Sequence, residues 1–543
     1  MTIRRPTLGI FLFSSLCLAA IVVGPTATNG QTPPRNRPAT ARARPLQVQV
    51  TVDPDKITHK ISPYIYGASA VNPERAAELG LTTVRWGGNR SSRYNWKVGA
   101  DNAGSDWYFL NGKAPRWSEF IAANRRAHLG SYLTVPLLPF IAKGPEGWSF
   151  SVAKYGPQRK VESFVADRGD GIRPDGKPIK DNDPHDASIP SSPEFQGEGI
   201  KALPKGDGPP IVYGLDNEPM LWNHTHRDVH PTPPGYNEVF ERGRAYGQAI
   251  KRADTQGMVA GPCTWGWTDL RYSAADEGSD RYATHADHRA HGNVPFLAWY
   301  LGEMKRASDR EGIRLLDVVD VHFYPQGQVD GQVVNSGPTK SPAMQALRLR
   351  SIRGLWDRSY RDESWINEPI ALIPRVRAWV DQYNPGTKLC IGEYNWGGDD
   401  DPSGAVAQAE VLGIFAREHV DYAYFWAGVE GVQRFAFQLF RNPDGHHVGF
   451  GDKYLQSHSS DTEHLSVFAA SRNDGAITVV LVNVDLEHAV TASLNVGKKL
   501  QAGGTLFRLP NPPGPIRREA IHPTGPSFSL TLPALSAAML VVP

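Results

Sequence analysis

Cysteine is scarce in this chain: 3 in 543 residues. One of them, Cys17, lies in the first apolar run, which leaves Cys263 and Cys390 for the folded protein. Two cysteines cannot form a disulfide framework, and each sits in or beside an apolar strand-like run, so both are read as small buried core residues. An excess of either charge is also missing. Lys and Arg total 58 against 56 Asp and Glu, so no global field draws the chain to nucleic acid or to an anionic membrane. After residue 24 no apolar stretch is long enough to span a bilayer, and no stable membrane association is expected. No fixed-period repeat is present. The first strand is not followed by a glycine-rich phosphate-binding turn, which argues against a nucleotide-binding open sheet.

What the chain does have begins at its N-terminus. MTIRR carries two arginines, and GIFLFSSLCLAAIVVG (9–24) is a short apolar run followed by small residues. This fits a secretory signal peptide over residues 1–30, with cleavage around Ala27–Gly30 and an extracellular or periplasmic destination. Residues 31–45, rich in Pro, Arg and Thr, read as a disordered linker.

From residue 61 the chain alternates strands and helices. Eight strand-like runs fall at 63–69, 82–88, 131–138, 211–219, 257–267, 315–325, 388–397 and 420–428, with helical stretches between most of them. The fold class is therefore α/β, a (β/α)8 barrel over residues 61–454. Long insertions at about 139–200 and 268–295 should build walls around one face. Past residue 455 the pattern becomes alternating strands without helices, which predicts a small antiparallel β-sandwich over 455–543. The isolated strand 46–60 should join it.

The barrel strands start apolar and end polar or aromatic: Trp86-Gly-Gly-Asn89, Asp216-Asn217-Glu218, Trp265-Gly-Trp267, His322-Phe-Tyr324, Glu393-Tyr-Asn395-Trp396, and Trp426. A barrel gathers all these ends at one mouth. Glu218 and Glu393 would face each other there, the arrangement that glycosidic bond cleavage requires: one carboxyl to protonate the leaving oxygen, the other ionised. Like charges at close range push one proton affinity up and sort the pair into these roles. Asn217 and Asn89 are candidates for sugar hydroxyls, and His322 and Tyr324 for orienting the nucleophile. Trp96, Trp222, Trp265, Trp396 and Trp426, with Trp267, are candidate platforms for pyranose faces.

Three other readings make different demands. A metal hydrolase would use His224, His226 and His230, or His285, His288 and His291. A non-catalytic polysaccharide-binding barrel would lack one of the carboxylates. A β-mannanase or xylanase would keep the same barrel with another specificity.

Several stretches together resemble glycoside hydrolase family 44, the endo-β-1,4-glucanases and xyloglucanases. They are RWGGNRSSRYNWKVGADNAGSDW (85–107), YGLDNEPMLWNHTHRDVHP (213–231), RLLDVVDVHFYP (314–325), LWDRSYRDESWI (355–366), GTKLCIGEYNWGG (386–398) and FGD (450–452). The resemblance implies a barrel with a β-sandwich and a retaining mechanism, with Glu218 as acid/base and Glu393 as nucleophile. It implies β-glucan polysaccharide substrates such as xyloglucan or cellulose-type chains, with no cofactor required for catalysis; a monomer is the default expectation. It also implies possible structural calcium; Asp181, Asp183 and Asp186 are the candidate ligands offered by the acidic loop. Two departures from the family pattern stand out: Trp86 where Tyr is common, and Gly392 where Thr is common.

Overall fold

The computed structural model describes residues 44–543 except 205, 207, 336–339, 498–502 and 524–526. The expected signal peptide and all but the last two residues of the expected linker lie outside the described residues. Seventeen strands carry the architecture. In chain order they are β1 Leu46–Lys60, β2 Gly67–Ser69, β3 Thr83–Trp86, β4 Gly130–Val135, β5 Val212–Leu215, β6 Met258–Thr264, β7 Val318–Phe323, β8 Lys388–Tyr394 and β9 Tyr422–Phe425. Then come β10 Lys453–Ser459, β11 Leu465–Ser471, β12 Ile477–Asn483, β13 Val490–Asn495, β14 Gly504–Leu509, β15 Arg517–Ile521, β16 Ser527–Leu532 and β17 Ser536–Val542.

Strands β2 to β9 close a parallel barrel in sequence order, β9 pairing back onto β2. Each expected strand is present, with shifted bounds; the first keeps only Gly67–Ser69, because Pro63–Ile65 form a 3-10 turn. Their side chains are buried on both faces, as a parallel sheet covered by helices demands. One set fills the barrel interior, among them Tyr132, Val212, Ala260, Val318, Cys390, Tyr422 and Tyr424. The other set meets the helices. Helix Tyr236–Ala253 shows why these segments are helical: Tyr236, Val239, Phe240, Gly243, Tyr246, Gly247 and Ile250 recur at helical spacing and are its buried stripe.

The nine remaining strands form a single sheet in the order β15-β14-β17-β12-β11-β10-β1-β13-β16. It is antiparallel except where β1 runs parallel to β13, Leu46 opposite Val490 through Thr51 opposite Asn495. On its other side β1 pairs antiparallel with β10. One core draws residues from all nine strands, including Val50, Leu455, Leu481, Leu494, Leu506, Ile521, Leu530 and Leu540, so the sheet curls around its own interior. The opposite face of β11 and β12 offers Phe468, Ala470, Val480 and Val482 to the barrel's core. Between barrel and sheet runs helix Pro402–Arg417, in which every residue from Ser403 to Ala416 is buried. A helix covered on all sides should be apolar all round, and GAVAQAEVLGIFA is mostly small and apolar; its two polar residues, Gln408 and Glu410, bond Tyr394 OH and Ser466 Oγ. Barrel and sheet belong to one compact unit, Pro45–Pro543. Among the described residues no helix is long and apolar enough to cross a membrane.

The insertion after β4 makes a hairpin, Phe140–Ala142 with Ser188–Pro190, over a satellite core of Phe109, Phe150 and Ile179. The one after β6 folds into short helices at Ala274–Asp280 and Ala286–Ala290.

Candidate active site

The carboxyl ends of β3, β5, β7, β8 and β9 converge on Glu218 and Glu393. Glu218 follows β5 through a turn in which Asp216 and Glu218 both take left-handed conformations, φ 68° and 49°. Non-glycine residues adopt that region at a cost, so the surroundings must impose it. Asp216 does much of this. Fully buried, it accepts from Leu137 N at 2.6 Å, Asn217 N at 2.8 Å and Trp222 Nε1 at 3.2 Å. Glu218 N in turn donates to Cys263 O on β6, 3.1 Å away. Asp216 therefore pins the turn and Glu218 projects from it.

Glu393 lies at the end of β8, 5 % exposed. Arg85 Nη1 on β3 donates to its Oε1 at 2.6 Å, and Tyr324 OH donates to its Oε2 at 2.8 Å. Nδ1 of His322, on β7, lies 2.9 Å from Glu218 Oε1 and 3.6 Å from Glu393 Oε2. The other arm of Arg85 holds Asn217: Nη2 donates to Oδ1 at 2.8 Å, and Gly88 N donates to the same oxygen at 3.2 Å. Asn217 Nδ2 then donates to Asn89 Oδ1 at 3.1 Å, and Asn89 Nδ2 to Asp106 at 3.1 Å. This chain of donors leaves an Asn217 N–H free to face a ligand. Trp426, half-buried after β9, presses on Gly88, where a Cβ would come within 2.5 Å of the indole. Gly88 also has φ 86°, so both the turn and the ring's position require glycine.

The two carboxyl groups differ in proton affinity. Burial raises that of Glu218, and the nearby negative charge of Glu393 adds to the rise despite the opposing bond from His322. For Glu393 burial acts the same way, but His322, Arg85 and Tyr324 outweigh it and hold the carboxyl below its ordinary value. One carboxyl is thus poised to keep a proton and the other to stay ionised. Burial, with both carboxylate charges, keeps the Tyr324 phenol protonated and therefore a donor.

The expected sugar platforms divide. Trp426 stands at the mouth, and Trp265 is half-exposed at the end of β6. Trp222, Trp396 and Trp267 are buried, which corrects the expectation for these three. Trp222 is fully buried and bonded to Asp216. Trp396 is 3 % exposed and donates to Ser351 Oγ at 3.1 Å. Trp267 is sandwiched by Arg271 and Arg375. Trp96 donates to Phe195 O at 3.0 Å and packs on Gly199 of a barrel helix. Tryptophan count does not distinguish core from platform; only position relative to the mouth does.

The histidine groups do not converge. His226 is buried, His230 binds Glu238 at 2.8 Å, and His224 faces Glu277 at 3.8 Å. His285 stacks on Tyr272, and His291 bonds Asp287 O. The carboxylates of the acidic loop do not converge either: Asp181 faces Arg173, Asp183 caps His185, and Asp186 binds Lys154 and Tyr155. Among the described residues, the one group of three His, Cys, Asp or Glu side chains with donor atoms all within 4.8 Å of one another is Glu218, His322 and Glu393.

Arg85 is the site residue that sequence reasoning passed over. An arginine in the middle of a strand buried on both faces must be paired, and that was readable in TTVRW.

A closed parallel barrel with paired glutamates at its mouth, one with its proton affinity raised and the other with it lowered, has the form of a glycoside hydrolase site. Comparison with known proteins agrees. Residues 100–327 match the model of glycoside hydrolase family 44. The chain is similar to the structure of CelM2, a bifunctional glucanase-xylanase protein from a metagenome library, at 36% identity and TM-score 0.86, covering 91% of this chain and 99% of that one. A Paenibacillus polymyxa xyloglucanase of family 44 in complex with xyloglucan is 28% identical, with TM-score 0.75 and coverage of 91% and 99%. Endoglucanase A of Paenibacillus lautus is 28% identical over 536 residues, 93% of this chain and 74% of that protein. The chain belongs to glycoside hydrolase family 44.

Proposed function

We propose that this protein is a secreted, retaining endo-β-1,4-glucanase acting on xyloglucan and cellulose-type β-glucans, with Glu218 as acid/base and Glu393 as nucleophile. The observation that carries the reading is the closeness of the two carboxyl groups, one oxygen of each lying within 4.8 Å of one of the other. Retaining enzymes hold their carboxyl groups about 5–5.5 Å apart, whereas inverting ones need about 6.5–9.5 Å to admit water between them.

In the first half-reaction Glu393 attacks the anomeric carbon while Glu218 gives its proton to the departing oxygen. The glycosidic C–O bond breaks, its electrons leave with that oxygen, and an ester forms at Glu393. In the second, Glu218 takes a proton from water, which attacks the same carbon and frees Glu393. Asn217 N–H suits the sugar 2-hydroxyl, whose hydrogen bond strengthens in the transition state. Tyr324 and Arg85 hold Glu393 in line, and Trp426 offers a flat face to a pyranose. No step requires a metal or cofactor. The names of the similar proteins support glucan and xyloglucan as substrates, and the glucanase-xylanase adds xylan to the test. The leader at residues 1–30 supports export.

The test is reducing-sugar release from xyloglucan, carboxymethylcellulose, glucomannan and xylan by the wild type, Glu218→Gln and Glu393→Gln. Wild-type cleavage of the first two, lost in both variants, supports the proposal. Variants that keep their activity refute the residue roles. A folded wild type that cuts nothing refutes the enzyme.

A further inference from the structure

Beneath Glu393 lies a second carboxylate that the mechanism above does not use. Asp320, on β7 two residues before His322, is 0 % exposed inside the barrel. Tyr132 OH on β4 donates to its Oδ2, and Cys263 Sγ on β6 donates to the same oxygen at 3.5 Å. Tyr132 OH and Cys263 Sγ are themselves 3.3 Å apart. Cys390 on β8 and Tyr424 on β9 also face the group. Burial keeps the Tyr132 phenol and both thiols protonated at neutral pH. All three are donors, and an ionised carboxylate is the acceptor they suit.

Arg85 joins this layer to the catalytic one. Its guanidinium lies 5.3 Å from the Tyr132 ring centroid on one side and bonds Glu393 on the other. Burial opposes its charge, and Glu393 first, then Asp320, sustain it. A phenol donating to a carboxylate also carries more electron density on its face, which favours a cation above it. Room for this arrangement depends on the glycine at 392. A Cβ on Gly392, beside Glu393 in β8, would come within 2.2 Å of Asp320 Oδ1.

We propose that Asp320 is a positioning residue: the standing counter-charge that holds Arg85 in place while Glu393 is consumed as an ester. The inference rests on the retaining reading. In the first half-reaction Glu393 exchanges its negative charge for an ester bond to the anomeric carbon, and Glu218, having lost its proton, becomes the charged carboxylate. The total charge is conserved, but Arg85 loses the partner 2.6 Å away. A buried guanidinium without a counter-charge is strongly destabilised. Asp320 takes no part in either bond change, so with Tyr132 it offers Arg85 the same partner across both half-reactions, and Arg85 keeps its grip on Asn217 and is in place when Glu393 returns.

The test uses an aryl β-cellobioside with a dinitrophenol leaving group, followed in the pre-steady state, with the covalent adduct read by mass spectrometry. The wild type should give a burst of dinitrophenol and an adduct on Glu393. Asp320→Asn should slow ester formation about 10-fold or more while leaving ester hydrolysis unchanged or faster, so the burst amplitude falls. The acid limb of kcat/KM should move to lower pH by about one unit, because a negative charge near Glu393 is gone. Tyr132→Phe should shift the same partition in the same direction by less, and it decides the question if Asp320→Asn does not fold. A wild type with neither burst nor adduct overturns the retaining reading and the inference with it. A normal wild type with variants that slow both half-reactions equally, or change neither, with an unmoved acid limb, overturns the inference alone.

Discussion

Two glutamates in this protein, one part-buried and one buried, hold their protons more tightly than a glutamate in water, and only one stands at the barrel mouth. Glu218 stands at the barrel mouth. Glu410 lies in helix Pro402–Arg417, where the barrel meets the C-terminal sheet, and burial pushes its carboxyl up to about 7. Its Oε1 bonds Ser466 Oγ on β11 at 2.7 Å. The same force, desolvation, acts on both. The difference lies in the company. Glu218 has a histidine between itself and a second carboxylate that an arginine and a tyrosine keep charged. Glu410 has one hydroxyl and the field of Arg417. A raised proton affinity marks a place where water has been excluded; a second carboxylate with opposite bias makes that place a site.

The comparison breaks first on activity. Glu218→Gln and Glu393→Gln should each lose on the order of 10^3-fold or more in kcat on xyloglucan, with melting temperatures close to the wild type. Glu410→Gln should keep activity within about twofold. Equal losses from all three would mean that the mouth is not special. Tryptophans sharpen the contrast next. Trp222→Ala removes a fully buried ring and its bond to Asp216, and should cost about 3–5 kcal/mol of stability by denaturant unfolding. Trp426→Ala should leave stability nearly unchanged and raise KM for oligosaccharides about 10-fold, in line with loss of a stacking face.

A smaller effect is read in pH profiles. Activity needs Glu393 ionised and Glu218 protonated. The acid limb of kcat/KM should therefore fall below the usual glutamate range and the basic limb above it. The smallest effect belongs to Glu410. Unfolded, a glutamate ionises near 4.5; in this fold it does so near 7. Between those values the unfolded chain releases a proton that the native protein keeps. Stability should thus decline as pH rises through this window, by about 1–3 kcal/mol in all, and level off above it. Glu410→Gln should flatten that slope and leave the activity profile alone.

Much of this was legible in the sequence because barrels write their layout in strand order. Eight apolar runs, each closed by polar or aromatic residues, placed Glu218 and Glu393 at one mouth although they lie far apart in the chain. What was misread was the interior. Trp222 and Trp396 sit beside catalytic residues in sequence but turn inward, since residues flanking a strand end can face either core or cleft. Arg85 and Asp320 were missed for the opposite reason. Attention to strand ends overlooked charges in mid-strand, where TTVRW and VVDVHF carry them into a doubly buried sheet. A charge in such a place must have a partner nearby, and here the partners are Glu393 and Tyr132. The curled nine-stranded sheet was legible as alternating strands; its parallel β1–β13 pair was not, because register between chain ends so far apart leaves no local mark.

The measurement that bears most directly on the paired carboxylates is the anomeric form of freshly released product. Proton NMR of cello-oligosaccharide hydrolysis by the wild type, recorded before mutarotation, should show the β-anomer first, as the proposed double displacement predicts. Initial release of the α-anomer would mean single displacement by water, and would contradict the assignment of Glu393 as nucleophile.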